Sequence, residues 1–270
     1  MLNKLFDLTD RVAVITGGAG LLGKEFCSTL SEAGASVVAA DINLQAASTV
    51  VESLPAGAKA LPVRLDVTQP ESVEKMVQTV VGVYGRLDIL VNSAALDPKF
   101  DPQHGSAHTN SFEDYPLESW NQAIQVNLTG MFLCCQAASR QMVIQGKGVM
   151  INICSTYGLV GPDQRIYQRP GEAPRYKPVY YSVSKAGVLG LTRYLATYYA
   201  GTQIRVNALT PGGVFNNHDE VFLKAYSSRT VLGRMADKDE MNGALLFLAS
   251  DASSYMTGSN LVVDGGWTAW

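Results

Sequence analysis

Short apolar runs alternate along this chain with longer segments of helical period. Val12–Thr16, Ser36–Ala40, Ala60–Leu65, Leu87–Asn92, Val149–Ile153, Ile204–Ala208 and Asn260–Val263 are continuous runs rich in β-branched residues. Their continuity, in place of an apolar–polar alternation, predicts strands buried on both faces. Leu21–Ala33 places Leu22, Phe26, Leu30 and Ala33 on one helical face and stops at Gly34. Helices are also expected to close at Val50–Leu54 before Pro55, and over Glu71–Tyr84, Leu117–Gln145, Tyr181–Ala200 and Glu240–Ala249. Strands alternating with helices predict an α/β, doubly wound parallel sheet of about seven strands with helices on both faces. With no linker, repeat or low-complexity tract, one domain spanning 1–270 is expected.

Composition narrows the function classes. The chain is 47% hydrophobic, an ordinary globular value, and 17% charged, which is low against roughly 25% on average. That deficit suggests surface covered by a second copy. The net charge of −3 disfavours a nucleic-acid partner. No apolar run approaches the ~18 residues that span a membrane, and Met1–Asp10 has no apolar signal core. A cytoplasmic protein without a membrane partner is expected. Cys27, Cys134, Cys135 and Cys154 have no metal-ligand spacing and read as buried thiols.

The first strand opens into Thr16-Gly17-Gly18-Ala19-Gly20-Leu21-Leu22-Gly23. Glycines spaced three apart at a strand-to-helix junction let a pyrophosphate approach the free N–H groups of the helix. The same glycines would also serve a plain tight turn. Asp41, ending the second strand, suits the two adenosine ribose hydroxyls and repels a 2′-phosphate. It favours NAD over NADP, unless it is a turn or cap residue. Asp66 and Val67, ending the third strand, are placed beside the adenine.

Tyr181 and Lys185 are four apart and share a helical face, where an ammonium would lower the phenol pKa from its reference of ~10. Such a phenol exchanges a proton with an alcohol near neutral pH. Taken alone, the pair is also common on ordinary helices. Tyr180 falls off the face of Lys185. Ser155 follows the fifth strand at the sheet edge where ligands bind in open α/β folds. Asn127 is a lone amide in an apolar helix, where it is either functional or a kink.

These pieces occur in an order that resembles the single-domain short-chain dehydrogenase/reductase family. They are Thr16–Gly23, Asp66, Asn92-Ser93-Ala94-Ala95, Asn127, Ser155, Tyr181–Lys185, Pro211-Gly212 and Asp264-Gly265-Gly266. The resemblance implies a Rossmann-type fold and hydride transfer between a nicotinamide and an alcohol or carbonyl carbon. It makes Tyr181 the acid/base, Lys185 its pKa-lowering partner and nicotinamide-ribose ligand, Ser155 the group that orients the substrate oxygen, and Asn127 the support of a proton relay through water. Cofactor contacts would fall on Gly17, Gly20, Leu22, Gly23, Asp41, Asp66, Val67, Asn92, Ser93, Ala94, Tyr181, Lys185, Pro211, Gly212 and Val214. Val206 would join Pro211 and Val214 at the nicotinamide end, and no metal is expected. Two departures stand out. Leu21 replaces the middle glycine of the family's usual turn, and Asn216 replaces a common Thr.

Ser155 and Tyr181 are separated by about twice the family's usual spacing, so Leu159–Val179 is read as an insertion. With 97–116 and the 215–231 lid it would roof the substrate site. Arg165, Arg169, Arg175 and Lys177 within it would form either an anion clamp or a solvated loop. His104 and His108 lack a third ligand and read as polar loop residues. The insertions and the Trp267…Trp270 ending resemble sugar-modifying (surface-glycan, flagellin) and gluconate-dehydrogenase-like members. They imply a small polar substrate: a sugar, sugar acid or nucleotide sugar. Reduction of a 3-ketoacyl thioester or steroid-like carbonyl is the alternative enzyme, and a nucleotide-sensing binding protein the non-enzymatic one. A homotetramer or dimer is implied, with Val188, Leu191, Leu195, Tyr199, Met131, Phe132 and Cys135 pairing across it and Trp267 and Trp270 sealing another interface, unless they are simply core.

Overall fold

The computed structural model describes residues 2–97, 110–169 and 171–270. A short helix α1 (Leu2–Leu5) precedes β1 (Val12–Thr16), α2 (Leu21–Glu32), β2 (Ser36–Asp41), α3 (Leu44–Glu52), β3 (Ala60–Arg64) and α4 (Pro70–Tyr84). Then come β4 (Ile89–Asn92), α5 (Leu117–Ile124), α6 (Gly130–Gln145), β5 (Lys147–Ile153), α7 (Val179–Tyr198), β6 (Gln203–Pro211), α8 (Glu220–Ser227), α9 (Asn242–Ala249) and β7 (Asn260–Val263). The seven strands form one parallel sheet in the order β3-β2-β1-β4-β5-β6-β7. The doubly wound architecture expected from the apolar runs is the one observed.

Strand alternation distributes the core over both faces of the sheet. Val12 and Val14 of β1 join Met76 and Val80 of α4, Cys134 and Met142 of α6 and Val188 of α7. Ala13 and Ile15 point the other way, against Phe26 and Leu30 of α2 and Leu245 and Leu248 of α9. Every residue of β1 is buried. Two buried faces are why these strands read as runs.

The helix expected over Leu117–Gln145 is interrupted. Gln125–Thr129 forms a π-helical turn between α5 and α6. Single π turns widen a helix locally and re-aim a side chain, frequently at functional positions. Here the residue re-aimed is Asn127, fully buried. The 215–231 segment, expected only as a lid, contains α8, capped by Asp219 through the Phe222 N–H.

Packing divides the residues expected at an association surface. Val188, Met131 and Cys135 are core residues, and Leu191, Leu195 and Tyr199 pack against that core. Phe132 is exposed. Trp267 lies inside the chain, stacked on Tyr226 at 4.2 Å between ring centroids, so it seals no outer interface. Trp270 is exposed, its indole donating to the Arg229 carbonyl. All four cysteines are buried free thiols, and burial pushes Cys27 and Cys135 up to about 12. Among the described residues no helix is long and apolar enough to cross a membrane.

One buried polar chain crosses the sheet. Asn92 Nδ2 donates to Asn152 Oδ1 at 2.9 Å, and Asn152 Nδ2 donates to Thr192 Oγ1 at 3.0 Å. Asn152→Ala strips both neighbours of a partner without letting water in. It is expected to cost about 2–3 kcal/mol, read as a lower midpoint in urea unfolding at unchanged m-value.

Candidate active site

The strand order reverses direction at β1, which has β2 on one side and β4 on the other. The crevice beyond the carboxyl ends of β1 and β4 is therefore where a ligand fits in such a sheet. Thr16 ties its two walls together. Its Oγ1 accepts the Ser93 N–H at 3.1 Å and the Ala94 N–H at 3.2 Å.

That contact sets the size limit in the glycine turn. Gly17 has φ +64°, and a Cβ on it would lie 2.8 Å from Ala94 Cα. A Cβ on Gly23 would come within 2.1 Å of the Gly17 carbonyl oxygen. The turn leads into the N-terminus of α2, where Gly20 supplies no side-chain cap. The first N–H groups of α2 are thus left to a ligand. Leu21 is the first residue of α2, with its side chain over a third exposed, and Leu22 packs on the core. Asp41 Oδ2 accepts the Ala19 N–H at 3.0 Å and Oδ1 accepts the Asn43 N–H at 3.0 Å. The carboxylate is fixed at the rim of the turn and keeps lone pairs for ribose hydroxyls. These residues fit a dinucleotide.

Asp66 and Asn92, also expected at the cofactor, use side-chain groups on the protein itself. Asp66 Oδ1 is held by the Thr68 N–H and hydroxyl, and Val67 is buried with its side chain over Gly130. The Asn92 amide points into the core, while Ser93 and Ala94 form the crevice wall. Pro211 ends β6, and Gly212 abuts Asp264, where a Cβ would lie 2.7 Å from Cα. Val214 bridges to Ala236. Val206 is buried in mid-strand, five residues short of the strand end, because the strand is longer than its apolar run indicated; it does not reach the nicotinamide end. Asn216 donates its N–H to His218 Nδ1.

Ser155, Tyr181, Lys185 and Asn127 converge beyond β5. The Ser155 hydroxyl is hydrogen-bonded to the Tyr181 phenol. Lys185, 4% exposed, donates from Nζ to the Ile153 carbonyl at 2.9 Å and lies 5.8 Å from the Tyr181 ring centroid. Tyr180 is turned away, buried against Tyr115. Asn127 Oδ1 accepts the Leu96 N–H at 2.6 Å, and its Nδ2 donates to the Leu96 carbonyl at 3.0 Å and to Ser184 Oγ at 3.4 Å. The amide thus grips the chain just after β4.

The phenol departs from expectation. Burial raises the Tyr181 pKa well above its ordinary value, Asp97 raises it further, and the Ser155 hydrogen bond opposes both. Burial also lowers Lys185. The expected depression by Lys185 does not prevail, because the loss of water around the phenol outweighs it.

The 159–179 and 215–231 segments pack together beside Tyr181. Tyr157, Ile166, Tyr167, Tyr226, Met235 and Trp267 cluster there with Tyr181 and Phe222. The Tyr167 hydroxyl donates to that of Tyr157 at 3.0 Å, and burial pushes Tyr157 up to about 12. Every cation expected to clamp an anion is ion-paired: Arg165 with Asp163, Arg169 with Asp219, Arg175 with Glu172 and Lys177 with Asp97. Arg165 is exposed, as a solvated loop predicts, whereas Arg169 and Lys177 are largely buried, and two of the pairings have a structural use. Arg169–Asp219 and Arg229–Asp163 stitch the two segments together. His104 and His108 lie outside the described residues. Among the described residues no cluster of three His, Cys, Asp or Glu could hold a metal.

Sequence reasoning missed Asp97 and the roles of Thr16 and Lys177. Thr16 opens the glycine motif and carried a signal. Asp97 and Lys177 are irregular-segment residues brought together across 80 positions, with no periodicity to mark them.

A family model described as Enoyl-(Acyl carrier protein) reductase matches residues 18–268. The NAD-dependent glycerol dehydrogenase of Listeria innocua serovar 6a is 34% identical, over 98% of this chain and 97% of that protein. The crystal structure of a short-chain type dehydrogenase/reductase from Mycobacterium marinum has a TM-score of 0.86 at 36% identity, covering 100% of both chains. That of a gluconate 5-dehydrogenase from Burkholderia cenocepacia J2315 in complex with NADP and tartrate has a TM-score of 0.83 at 30% identity, again over 100% of both. The chain belongs to the short-chain dehydrogenase/reductase family. It is an NAD(P)-dependent oxidoreductase that transfers hydride at CH–OH or carbonyl groups. Other relatives are named for alicyclic-alcohol and 3-oxoacyl-carrier-protein substrates, so membership defines the reaction class and not the substrate.

The Asp163 carboxyl is lowered to about 2, chiefly by its hydrogen bond to Arg165. A carboxyl depressed in the folded state stabilises above its unfolded value and ceases to do so as pH falls through the folded one. Asp163→Asn should therefore unfold at lower urea than wild type above pH ~4, with the gap closing towards pH ~2.

Proposed function

We propose that the protein oxidises a secondary alcohol of a small, uncharged polyol or sugar, with NAD as the preferred acceptor. The observation that carries this reading is the meeting of Tyr181, Ser155 and Lys185 at the sheet edge beside the glycine turn. Asp41 supports NAD, because a 2′-phosphate would face its carboxylate. The paired state of Arg165, Arg169, Arg175 and Lys177 supports a neutral substrate over an anionic nucleotide sugar or sugar acid, since the chain's own carboxylates already neutralise them. The neutral polyol in the name of the glycerol relative supports the same class.

The dinucleotide would lie along Gly17, Gly20 and Gly23, with its ribose hydroxyls on Asp41 and the nicotinamide end towards Ser93, Ala94, Pro211, Gly212 and Val214. When bound, the nicotinamide supplies the hydride acceptor or donor. Tyr181 Oη takes the proton from the substrate hydroxyl in oxidation and returns it in reduction. Ser155 Oγ holds the same substrate oxygen and steadies the phenolate. Lys185, fixed on Ile153, binds the nicotinamide ribose and adds positive potential near the phenol. Asn127 acts as a positioning residue: by holding both backbone groups of Leu96 it sets the chain that leads from the crevice wall to Asp97. The aromatic roof excludes water from the reacting atoms.

Tyr181→Phe is expected to lower kcat by about 10²–10⁴-fold, with NAD affinity by calorimetry unchanged. Turnover kept at the wild-type rate on a panel of polyols, sugars and sugar acids would remove Tyr181 from the reaction. Asp41→Ala should weaken NAD by about tenfold or more while leaving NADP no weaker; equal losses for both would remove the ribose role.

A further inference from the structure

Two ammonium groups face the Tyr181 ring, and the nearer is not Lys185. Lys177 Nζ lies 4.1 Å from the ring centroid, against 5.8 Å for Lys185. The Lys177 side chain is only 10% exposed, and its ammonium is 2.5 Å from Asp97 Oδ1. An exposed lysine normally gains little from one fixed pairing. This one is built in at both ends. Gln164 Oε1 accepts the Lys177 N–H at 2.8 Å, and Gln164 Nε2 donates to the Lys177 carbonyl at 3.4 Å. Asn127 grips Leu96, the residue before Asp97, in the same two-sided manner. Two side-chain amides therefore set the cation and its counter-ion on the proton-transfer residue.

A cation over an aromatic face is attracted by its π electrons, and the attraction grows when the phenol ionises. A carboxylate nearby acts in the opposite sense. The titratable and charged groups around Tyr181 are Lys185 and, turned aside, Tyr180 from α7, Cys154 after β5, Tyr157 from the turn that follows, Asp97 after β4 and Lys177 from the insertion. The Lys185 ammonium is directed at Ile153. Lys177 is the cation that lies across the ring face.

We infer that Lys177, delivered by the insertion and held by Asp97, is a second positioning cation for Tyr181, stabilising the phenolate across the ring face. The inference rests on Tyr181 being the proton-transfer group. It gives the 159–179 segment a part in the chemistry beyond roofing the substrate. It also explains why the cation is paired: Asp97 holds the ammonium in place and limits how far it acidifies the phenol.

The test reads the phenol directly and needs no substrate. A polyfluorinated tyrosine, whose phenol ionises far below that of tyrosine, is incorporated at position 181 of the full chain. Its fluorine resonance is then titrated by NMR in wild type, Lys177→Met, Lys177→Arg, Asp97→Asn and the double variant Lys177→Met/Asp97→Asn. Lys177→Met is expected to raise the midpoint by about one pH unit or more, and Asp97→Asn to lower it by a similar amount. Lys177→Arg should stay with wild type, and the double variant should fall between the single ones. If Lys177→Met does not fold, Lys177→Gln replaces it under the same criterion. An unmoved midpoint on loss of the cation overturns the inference. So do midpoints that move in the same direction for Lys177→Met and Asp97→Asn, which would mark a packing effect. Absence of turnover on every alcohol tried would count against the proposed function alone, since the fluorine signal does not depend on it.

Discussion

The parallel pairing of β1 with β4, which sets Thr16 opposite Asn92, is the constraint on which the remaining geometry depends. It brings two strand ends level, and the Thr16 hydroxyl then accepts the N–H groups of the two residues that follow β4. With the strand ends level, the glycine turn and the crevice wall approach so closely that Gly17 has no room for a side chain beside Ala94. The same wall continues to Leu96, where Asn127 seizes it, and to Asp97, which reaches Lys177. Cofactor cradle, amide clamp and ion pair lie along one continuous stretch of backbone.

The electrostatics of the site follow from burial more than from charge. Desolvation dominates at Tyr181 and at Lys185, in opposite directions, because each loses the water that would stabilise its ionised form. Against that background Asp97 raises the phenol further, and the Ser155 hydrogen bond opposes it. The aromatic cluster beside Tyr181 is locked by ion pairs that join the segment before α7 to the segment around α8, so cations that look available to an anion in the sequence are structural members.

Much of the fold was legible because its cause is local or periodic. Strands buried on both faces must be apolar throughout, and the seven runs marked them. The glycine turn was legible because close approach and a positive φ leave few other residues possible. Tyr181 and Lys185 were legible because four residues on a helix means one face. Asn127 was visible as an anomaly, an amide in an apolar helix, but its π turn was not: a one-residue widening of a helix leaves no mark on hydrophobic periodicity. Val206 was misplaced because the apolar run gave no sign of how far β6 continues past it, and Trp267 because an aromatic near a chain end reads alike whether it covers an interface or fills a core.

The sequence by itself determined the sheet, its layers, the glycine turn and the placing of Tyr181 and Lys185 on one helical face, since each is dictated by spacing along the chain or by steric limits on a single residue. Only the tertiary structure decided the state of the charges. Asp97 with Lys177, Asp163 with Arg229 and Arg169 with Asp219 are partners from separate loops, and the direction of the Tyr181 shift depends on burial, which no local pattern records. Ionisation depends on through-space distance and solvent access, and both come into being only when the chain has folded.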